Sequence, residues 1–158
     1  MNGRPIGLAC DHAGYHLKEE IKKHLEEQGI SFVDHGTSSL ASVDYPDYAH
    51  KLCTAIKEGQ QSLGILVCGT GIGMCMAANK HGGIRAAVCS DVFSAKMTRM
   101  HNDANVLCLG ERVVGTGLAL ELVDAFLNTE FQGGRHQRRV DMLNALDKGI
   151  EETPDKNR

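Results

Sequence analysis

Residues 63–80 read LGILVCGTGIGMCMAANK, and this stretch decides the fold. Leu63–Cys68 is a short apolar run, which is typical of a strand buried on both faces. Gly69, Gly71 and Gly73 make a turn, and the residues from there to about Lys80 predict a helix. A buried strand, a glycine-rich turn and a helix in this order indicate one unit of a doubly wound parallel sheet.

The rest of the chain repeats this alternation of strand and helix. Four more apolar runs predict strands, at Ile6–Cys10, Ser31–Asp34, Arg85–Cys89 and Val106–Leu109. Amphipathic stretches predict helices at Tyr15–Gln28, from Asp44 to Gly59, at Val92–Met100, at Leu118–Asn128 and at Gln137–Lys148. The sequence therefore predicts an α/β fold with a five-stranded parallel sheet, one domain over residues 1–148 and a polar tail over residues 149–158.

Composition excludes several classes of protein. With 158 residues, 42% hydrophobic and 23% charged, the chain has the make-up of one globular domain and not of a disordered segment. A net charge of −3, an aromatic content of 4% and no Trp argue against nucleic-acid binding. No apolar run approaches the roughly 20 residues that span a membrane. The start carries no secretory pattern and the six cysteines form no CxxC pair, which predicts free thiols, a cytoplasmic location and no zinc site.

Ligands of such sheets bind outside the carboxyl ends of the strands. The first predicted strand leads into Asp11-His12, the third into Cys68–Gly73 and the fifth into Glu111-Arg112. A further polar group, His101-Asn102-Asp103, lies just before the fifth strand, and we expect it at the same ligand face.

The glycine turn after Cys68 has the composition of an anion-binding loop. Its backbone N–H groups can surround an anion, with help from the helix that follows. It has no Lys for a P-loop, and Met74 stands where a dinucleotide fingerprint needs Gly. An ordinary tight turn is the competing interpretation.

Cys68 directly precedes this loop, where the pKa of a thiol is lowered, so it is a candidate base or nucleophile. The other interpretation, a small buried hydrophobe, is the prediction for Cys53, Cys75, Cys89 and Cys108, and Cys10 stays open between the two.

Two histidines and two arginines are further candidates. His12 and His101 stand beside other polar residues and suit acid–base work, whereas four further histidines are predicted to be solvated, namely His16, His24, His50 and His81. Arg135 and Arg139 lie four residues apart and could hold one phosphate together. Taken alone, such a basic stretch is more often a solvated turn, and the phosphate interpretation gains weight only beside a second anion-binding element.

Six segments together resemble the type-B ribose-5-phosphate isomerase family, which also includes isomerases of allose and galactose 6-phosphates. In chain order they are CDHAGYHLK, DYPDYA, ILVCGTGIGMCMAANK, GIRAAVCSD, HNDANVLCLGERVVG and GGRHQRRV. The resemblance runs from about Ile6 to Leu146, and its CGTG and GGRH segments are specific when they occur together.

The resemblance implies a Rossmann-like three-layer α/β/α sandwich and an aldose–ketose isomerase that needs no metal or other cofactor. It implies that Cys68 is the general base, that His101 opens the sugar ring and that Thr70 helps to move a proton. The implied substrate-binding residues are Asp11, His12, Gly69, Thr70, Gly71, Ile72, Gly73, Asn102, Arg112, Arg135 and Arg139. The expected partners are a sugar phosphate and further copies of the chain, as a homodimer or homotetramer.

The same resemblance assigns the chain to the cysteine branch of the family. Another branch carries a glutamate base in the helix after the loop, at the position of Met74 here. We do not expect Glu111 to replace that base.

Two other functions stay open from the sequence. Cys68 could be the covalent nucleophile of a hydrolase or transferase, with His12 or His101 as its base. The chain could also be a non-catalytic module that binds a sugar phosphate or nucleotide. Within the isomerase interpretation, the sequence leaves the choice between five- and six-carbon sugars open.

Overall fold

Strands and helices alternate along the chain in a computed structural model that describes residues 3–147. The strands are β1 (Ile6–Cys10), β2 (Phe32–Asp34), β3 (Gly64–Cys68), β4 (Ala86–Val88) and β5 (Val106–Gly110). The helices are α1 (Tyr15–Glu27), α2 (Tyr45–Lys57), α3 (Ile72–Ala78), α4 (Val92–Asn102), α5 (Thr116–Asn128) and α6 (Arg135–Leu146), with a 3-10 turn at His12–Gly14.

The five strands form one parallel sheet in the order β2-β1-β3-β5-β4. β3 lies at its centre and pairs with β5 along its whole length, from Gly64 opposite Val106 to Cys68 opposite Gly110. β1, β3 and β5 are buried throughout, which is why their sequences are continuous apolar runs. The predicted all-parallel α/β fold is confirmed.

Two apolar cores cover the two faces of the sheet. One contains side chains of α1, α4 and α5, packed on Ile65, Val67 and Leu107 among others. The other contains side chains of α2 and α3, packed on Leu66, Cys68 and Cys108. Alternate side chains of each strand point to opposite faces of the sheet, as the pleat requires. The three-layer sandwich is therefore confirmed.

The predicted elements differ from the observed ones mainly at their ends. The edge strand β4 keeps three residues of the predicted Arg85–Cys89, and α5 begins at Thr116, two residues before the predicted start. α6 begins at Arg135, two residues before the predicted start at Gln137, and so includes Arg135. The predicted tail 149–158 and the predicted helix end at Lys148 lie outside the described residues.

Over residues 3–147, no helix combines the length and the apolar character that crossing a bilayer would require.

Candidate active site

The carboxyl ends of β1 and β3 bring the first group of predicted residues together. The two strands are neighbours, with Cys10 paired to Val67. Asp11 and His12 follow β1, and Cys68 ends β3. From β1 the chain passes to β2 on one side and later to β3 on the other, so this is the switch point of the sheet, where open α/β sheets bind ligands.

Cys68 ends its strand with its thiol turned into the glycine loop Gly69–Gly73. The sulfur accepts a hydrogen bond from the backbone N–H of Gly71 at 3.1 Å, and the residue is 5% exposed. Within the loop, the Thr70 hydroxyl accepts a bond from the Ile72 N–H at 3.3 Å, and Thr70 itself is exposed.

The end of β5 holds this loop in place. The N–H of Glu111 donates to the Cys68 carbonyl at 2.9 Å, and that of Arg112 donates to the Gly69 carbonyl at 3.0 Å. A Cβ on Gly110 would lie within 2.7 Å of the Thr70 backbone, so only glycine lets the two segments approach so closely. The Arg112 guanidinium is thereby brought over Gly69, 3.5 Å from where a Cβ of that residue would be.

Asp11 and His12 are both held by backbone N–H groups. The Asp11 carboxylate accepts bonds from Ala13 at 2.9 Å and Gly14 at 3.1 Å, which caps the 3-10 turn. His12 Nδ1 accepts a hydrogen bond from the backbone N–H of Val43 at 3.2 Å. A neutral His12 therefore carries its hydrogen on Nε2 and can donate it to a ligand.

Glu111 and Tyr45 also lie beside the glycine loop at the carboxyl end of the sheet. Glu111 accepts a bond from the backbone N–H of Leu17 at 2.9 Å, so its carboxylate serves the first turn of α1. Tyr45, in the first turn of α2, packs its ring against Gly73 and is 40% exposed. The sequence analysis missed Tyr45, whose only signal in the sequence is an aromatic residue at the start of a predicted helix.

The prediction that His101 and Asn102 lie at this ligand face is wrong for a single chain. They end α4, which runs antiparallel to the strands and returns the chain to the amino end of the sheet. The Asn102 carbonyl accepts a bond from Arg85, the residue just before β4, at 3.1 Å. A residue that precedes a strand belongs to the opposite edge from one that follows it, and only the latter faces the ligand crevice.

Arg135 and Arg139 lie with His101 and Asn102 at the amino end of the sheet. We call His101, Asn102, Arg135, His136 and Arg139 the amino-end cluster. The rings of His101 and His136 stack with 4.2 Å between centroids and 8° between planes.

The backbone around α6 shapes this cluster. Arg139 Nη1 donates to the Arg135 carbonyl at 3.1 Å. Gly133 and Gly134, with φ of +62° and +55°, direct the chain into α6. Each strand at the centre of the sheet has five residues, so the two ends are about 13 Å apart along β3.

Among the other cysteines, the interpretation as buried hydrophobes holds for three and is wrong for Cys75. Burial raises the pKa of Cys53 to about 12 and that of Cys89 to about 11, and it raises the pKa of Cys108 as well. Cys75 is half-buried, and a hydrogen bond from the Cys108 thiol lowers its pKa to about 7. Cys10, which the sequence left open, is buried, and desolvation raises its pKa to about 12. It is therefore no candidate base.

The prediction that four histidines are solvated is confirmed for the exposed His16 and His50, whereas His24 and His81 are only partly exposed. His24 Nε2 lies 2.8 Å from Asp124 and joins α1 to α5, and His50 Nδ1 lies 2.8 Å from His81 Nε2. Within residues 3–147, no three His, Cys, Asp or Glu side chains converge to form a metal site.

Comparison with known proteins shows which family the sequence and fold resemble. Residues 6–143 match the family model described as Ribose/Galactose Isomerase. Ribose-5-phosphate isomerase B of Escherichia coli (strain K12) is 49% identical, over 91% of this chain and 97% of its own. The structure of Clostridium thermocellum Ribose-5-Phosphate Isomerase B superposes with a TM-score of 0.91 at 51% identity, over 93% of this chain and 99% of that one.

Another similar solved structure contains a bound ligand. Ribose-5-phosphate Isomerase B from Mycoplasma genitalium, with bound Ribulose-5-phosphate, superposes with a TM-score of 0.88 at 42% identity, over 92% of this chain and 97% of that one. From the matched family model, the identity with these relatives and the shared fold, it follows that the chain belongs to the ribose/galactose isomerase family.

Proposed function

We propose that this protein interconverts D-ribose 5-phosphate and D-ribulose 5-phosphate through an enediolate, with Cys68 as the general base. The observation that carries the proposal is the contact between the Cys68 sulfur and the Gly71 N–H, in the glycine loop Gly69–Gly73 at the carboxyl end of β3. The relatives named ribose-5-phosphate isomerase B, one of them with bound ribulose-5-phosphate, support this choice of substrate.

The chemistry needs a base at C2, a stabiliser of negative charge on O1 and O2, and an open sugar chain. Cys68 thiolate takes the proton from C2, and the resulting thiol returns it to C1. The backbone N–H groups of Gly69–Gly73 stabilise the enediolate oxygens. Thr70, whose hydroxyl lies in that loop, passes a proton between O1 and O2. No step requires a metal ion or an organic cofactor.

We further propose that each site takes residues from two copies of the chain. His101 opens the furanose ring, and Arg135 and Arg139 hold the phosphate, yet all three lie at the opposite edge of the sheet from Cys68. The distance of about 13 Å along β3 exceeds the length of a pentose phosphate's carbon chain. A second copy that presents its amino-end cluster to the Cys68 loop of the first completes the site. Asn102 comes with that cluster, and Arg112 comes with the loop.

An apolar surface beside the loop supports a second copy as the partner. Ile72, Met76 and Val88 are 49%, 64% and 45% exposed and line a groove of about 490 Å³ together with Cys75. Exposed apolar groups that are contiguous mark interaction surfaces. This groove begins at the glycine loop itself, so a copy that covers it would also reach the ligand crevice.

The chemical proposal is tested by assaying ribose 5-phosphate and allose 6-phosphate in parallel with purified protein. We expect turnover of ribose 5-phosphate to ribulose 5-phosphate. Cys68→Ala should lose at least about a hundredfold in kcat, and Cys68→Ser nearly as much, because a hydroxyl is too weak an acid to be deprotonated near pH 7. Cys53→Ala, which removes a thiol that burial keeps protonated, is the matched control. A Cys68→Ala enzyme near the wild-type rate would contradict the assignment of Cys68 as the base. Preferential turnover of allose 6-phosphate would contradict ribose 5-phosphate as the substrate.

The shared site is tested by mixing two defective proteins. Cys68→Ala and His101→Ala chains are each inactive alone, but a mixed dimer has one site that contains neither substitution. After co-refolding of equal amounts, half of the dimers are mixed, so we expect about a quarter of the wild-type activity from a two-fold symmetric dimer. A mixture as inactive as its parents, with mixed dimers present by mass, would place both residues in one chain's site.

A further inference from the structure

His136 stacks on His101, and the proposed mechanism gives it no role. His101 lies near the end of α4, and His136 lies in the first turn of α6. With centroids 4.2 Å apart and planes only 8° from parallel, the two rings cover one another face to face. The imidazole χ2 torsion is otherwise soft, so a flat neighbour at van der Waals distance restricts the orientations that the His101 ring can adopt.

The surroundings of His136 favour its neutral form, first by desolvation and then by nearby positive groups. Its pKa is lowered by desolvation, then by His101 facing it from α4, and by Arg135 and Arg139 on its own helix. Arg135 Nε points at His136 Nε2 from 3.4 Å, a long contact that requires this nitrogen to be the unprotonated one. A neutral His136 stacks on His101 without placing a second positive charge 4.2 Å away, which would be unfavourable.

We propose that His136 is a positioning residue for ring opening, which holds the His101 imidazole in the orientation that delivers its proton to the ring oxygen of the sugar. The proposal rests on the function proposed above and adds a residue to it. Arg135 and Arg139 flank His136 on the same helix, so the groups that hold the phosphate and the ring that positions His101 move as one unit. The orientation of His101 is thereby fixed relative to the phosphate of the sugar whose ring it opens.

The test separates ring opening from isomerisation by the choice of substrate. D-Ribose 5-phosphate is a furanose and must be opened, whereas 4-deoxy-D-ribose 5-phosphate lacks the hydroxyl that closes the ring and presents its aldehyde directly. Steady-state kcat and KM are measured on both for the wild type, His136→Ala and His136→Phe. Gln137→Ala, next along α6 and exposed, is the control for the helix.

We expect His136→Ala to lose about tenfold in kcat on ribose 5-phosphate, with less than about a twofold change in KM, as for a misplaced catalytic group. On the 4-deoxy substrate it should match the wild type. His136→Phe keeps a flat ring in the stack and should restore kcat on ribose 5-phosphate to within about threefold. The pH profile of its kcat should overlay that of the wild type.

Three results would overturn the proposal. If His136→Phe is as poor as His136→Ala, the imidazole nitrogens are needed and not the stack. If KM rises while kcat is kept, His136 contacts the phosphate. If both substrates lose equally, its role is in the fold of the site. His101→Ala marks the other failure: equal losses on both substrates would contradict the ring-opening role of His101 and so the proposed function, and not only the role of His136.

Discussion

At the scale of single residues, the backbone rather than other side chains prepares the groups of the crevice. The Gly71 N–H contacts the Cys68 sulfur, the Val43 N–H fixes the tautomer of His12, and two N–H groups hold Asp11. Backbone donors are placed by the fold and need no rearrangement when negative charge develops on the substrate. The thiol and the loop therefore act as one unit.

The arginines of the amino-end cluster give a prediction at this scale. Arg139→Lys keeps the positive charge but loses the planar fork that binds two phosphate oxygens at once. A charge-assisted hydrogen bond contributes about 1.5–3 kcal/mol, so we expect KM for ribose 5-phosphate to rise at least about tenfold. Arg138→Lys is the matched control, because Arg138 is exposed and outside the cluster. KM is measured by steady-state kinetics, and an unchanged KM for Arg139→Lys would contradict a role of Arg139 in phosphate binding.

At the scale of elements, a buried lysine joins α1 to β2. Lys18 is 1% exposed, with its Nζ 2.6 Å from Asp34 Oδ2 and 3.1 Å from the Thr37 carbonyl. The carbonyl belongs to the loop that leads to Val43, which contacts His12. The tie therefore links the stability of α1 to the geometry of the ligand crevice.

Loss of this tie should destabilise the fold in a pH-dependent way. Burial raises the pKa of Asp34, but the hydrogen bond and charge of Lys18, together with hydrogen bonds from the Gly36 N–H and Lys22, outweigh burial, so the net shift of the pKa is downward. A lowered carboxyl pKa stabilises the fold above its unfolded value of about 3.9, and that stability is lost as pH falls through the folded value.

Lys18→Met removes one partner of this pair and leaves Lys22 at 3.3 Å from Asp34. We expect a loss of about 2 kcal/mol or more in the free energy of unfolding at pH 7, since breaking a buried pair costs about 3–5 kcal/mol and Lys22 compensates in part. Urea denaturation at several pH values measures it, with Lys23→Met on the exposed face as control. The difference from wild type should shrink below pH ~4, and a constant difference would contradict the assignment.

The elements also show what sequence could and could not predict. β1 was predicted residue for residue because burial on both faces makes its five residues apolar. The edge strand β4 is only partly buried, so its ends are less clear in the pattern. The spacing of Gly69, Gly71 and Gly73 predicts the glycine loop locally. The end of the sheet at which His101 lies depends on the direction of α4, which the order of the elements does not give by itself. The stack of His101 on His136 depends on how α4 packs against α6, and no local pattern encodes it.

At the scale of the whole molecule, the proposed pairing of two chains predicts how the Cys75 thiol behaves. Cys75 is half-buried in the single chain and has a pKa of about 7, yet it lines the apolar groove that we assign to the partner. Met76→Glu places a charge in that groove and should give a monomer by light scattering, with faster alkylation of Cys75 by iodoacetamide in peptide mapping. Glu27→Lys, on the exposed face of α1, is the control. A monomeric wild type, or an unchanged rate in a monomeric variant, would contradict this interface.

The proposed chemistry of the whole site is also independent of metal ions. Enediolate stabilisation by backbone N–H groups leaves no step for a Lewis acid. We therefore expect full activity after exhaustive dialysis against EDTA and direct measurement of residual metal. Loss of turnover with chelator that a divalent ion restores would contradict the mechanism.

The backbone conformation of Gly134, just before α6, determines whether an L or a D amino acid fits at this position. Gly134 has φ +55° and ψ −128°, the mirror image of the extended region that L residues prefer. L-Alanine there should cost about 1–3 kcal/mol. D-Alanine finds its own preferred conformation and restricts the unfolded chain, for a gain of about 0.4–1 kcal/mol. Semisynthesis by ligation at Cys108 can make both proteins, and their urea midpoints should fall on opposite sides of the wild type. The turn that leads into α6 thus requires, at one residue, a backbone conformation that only glycine or a D amino acid adopts without strain.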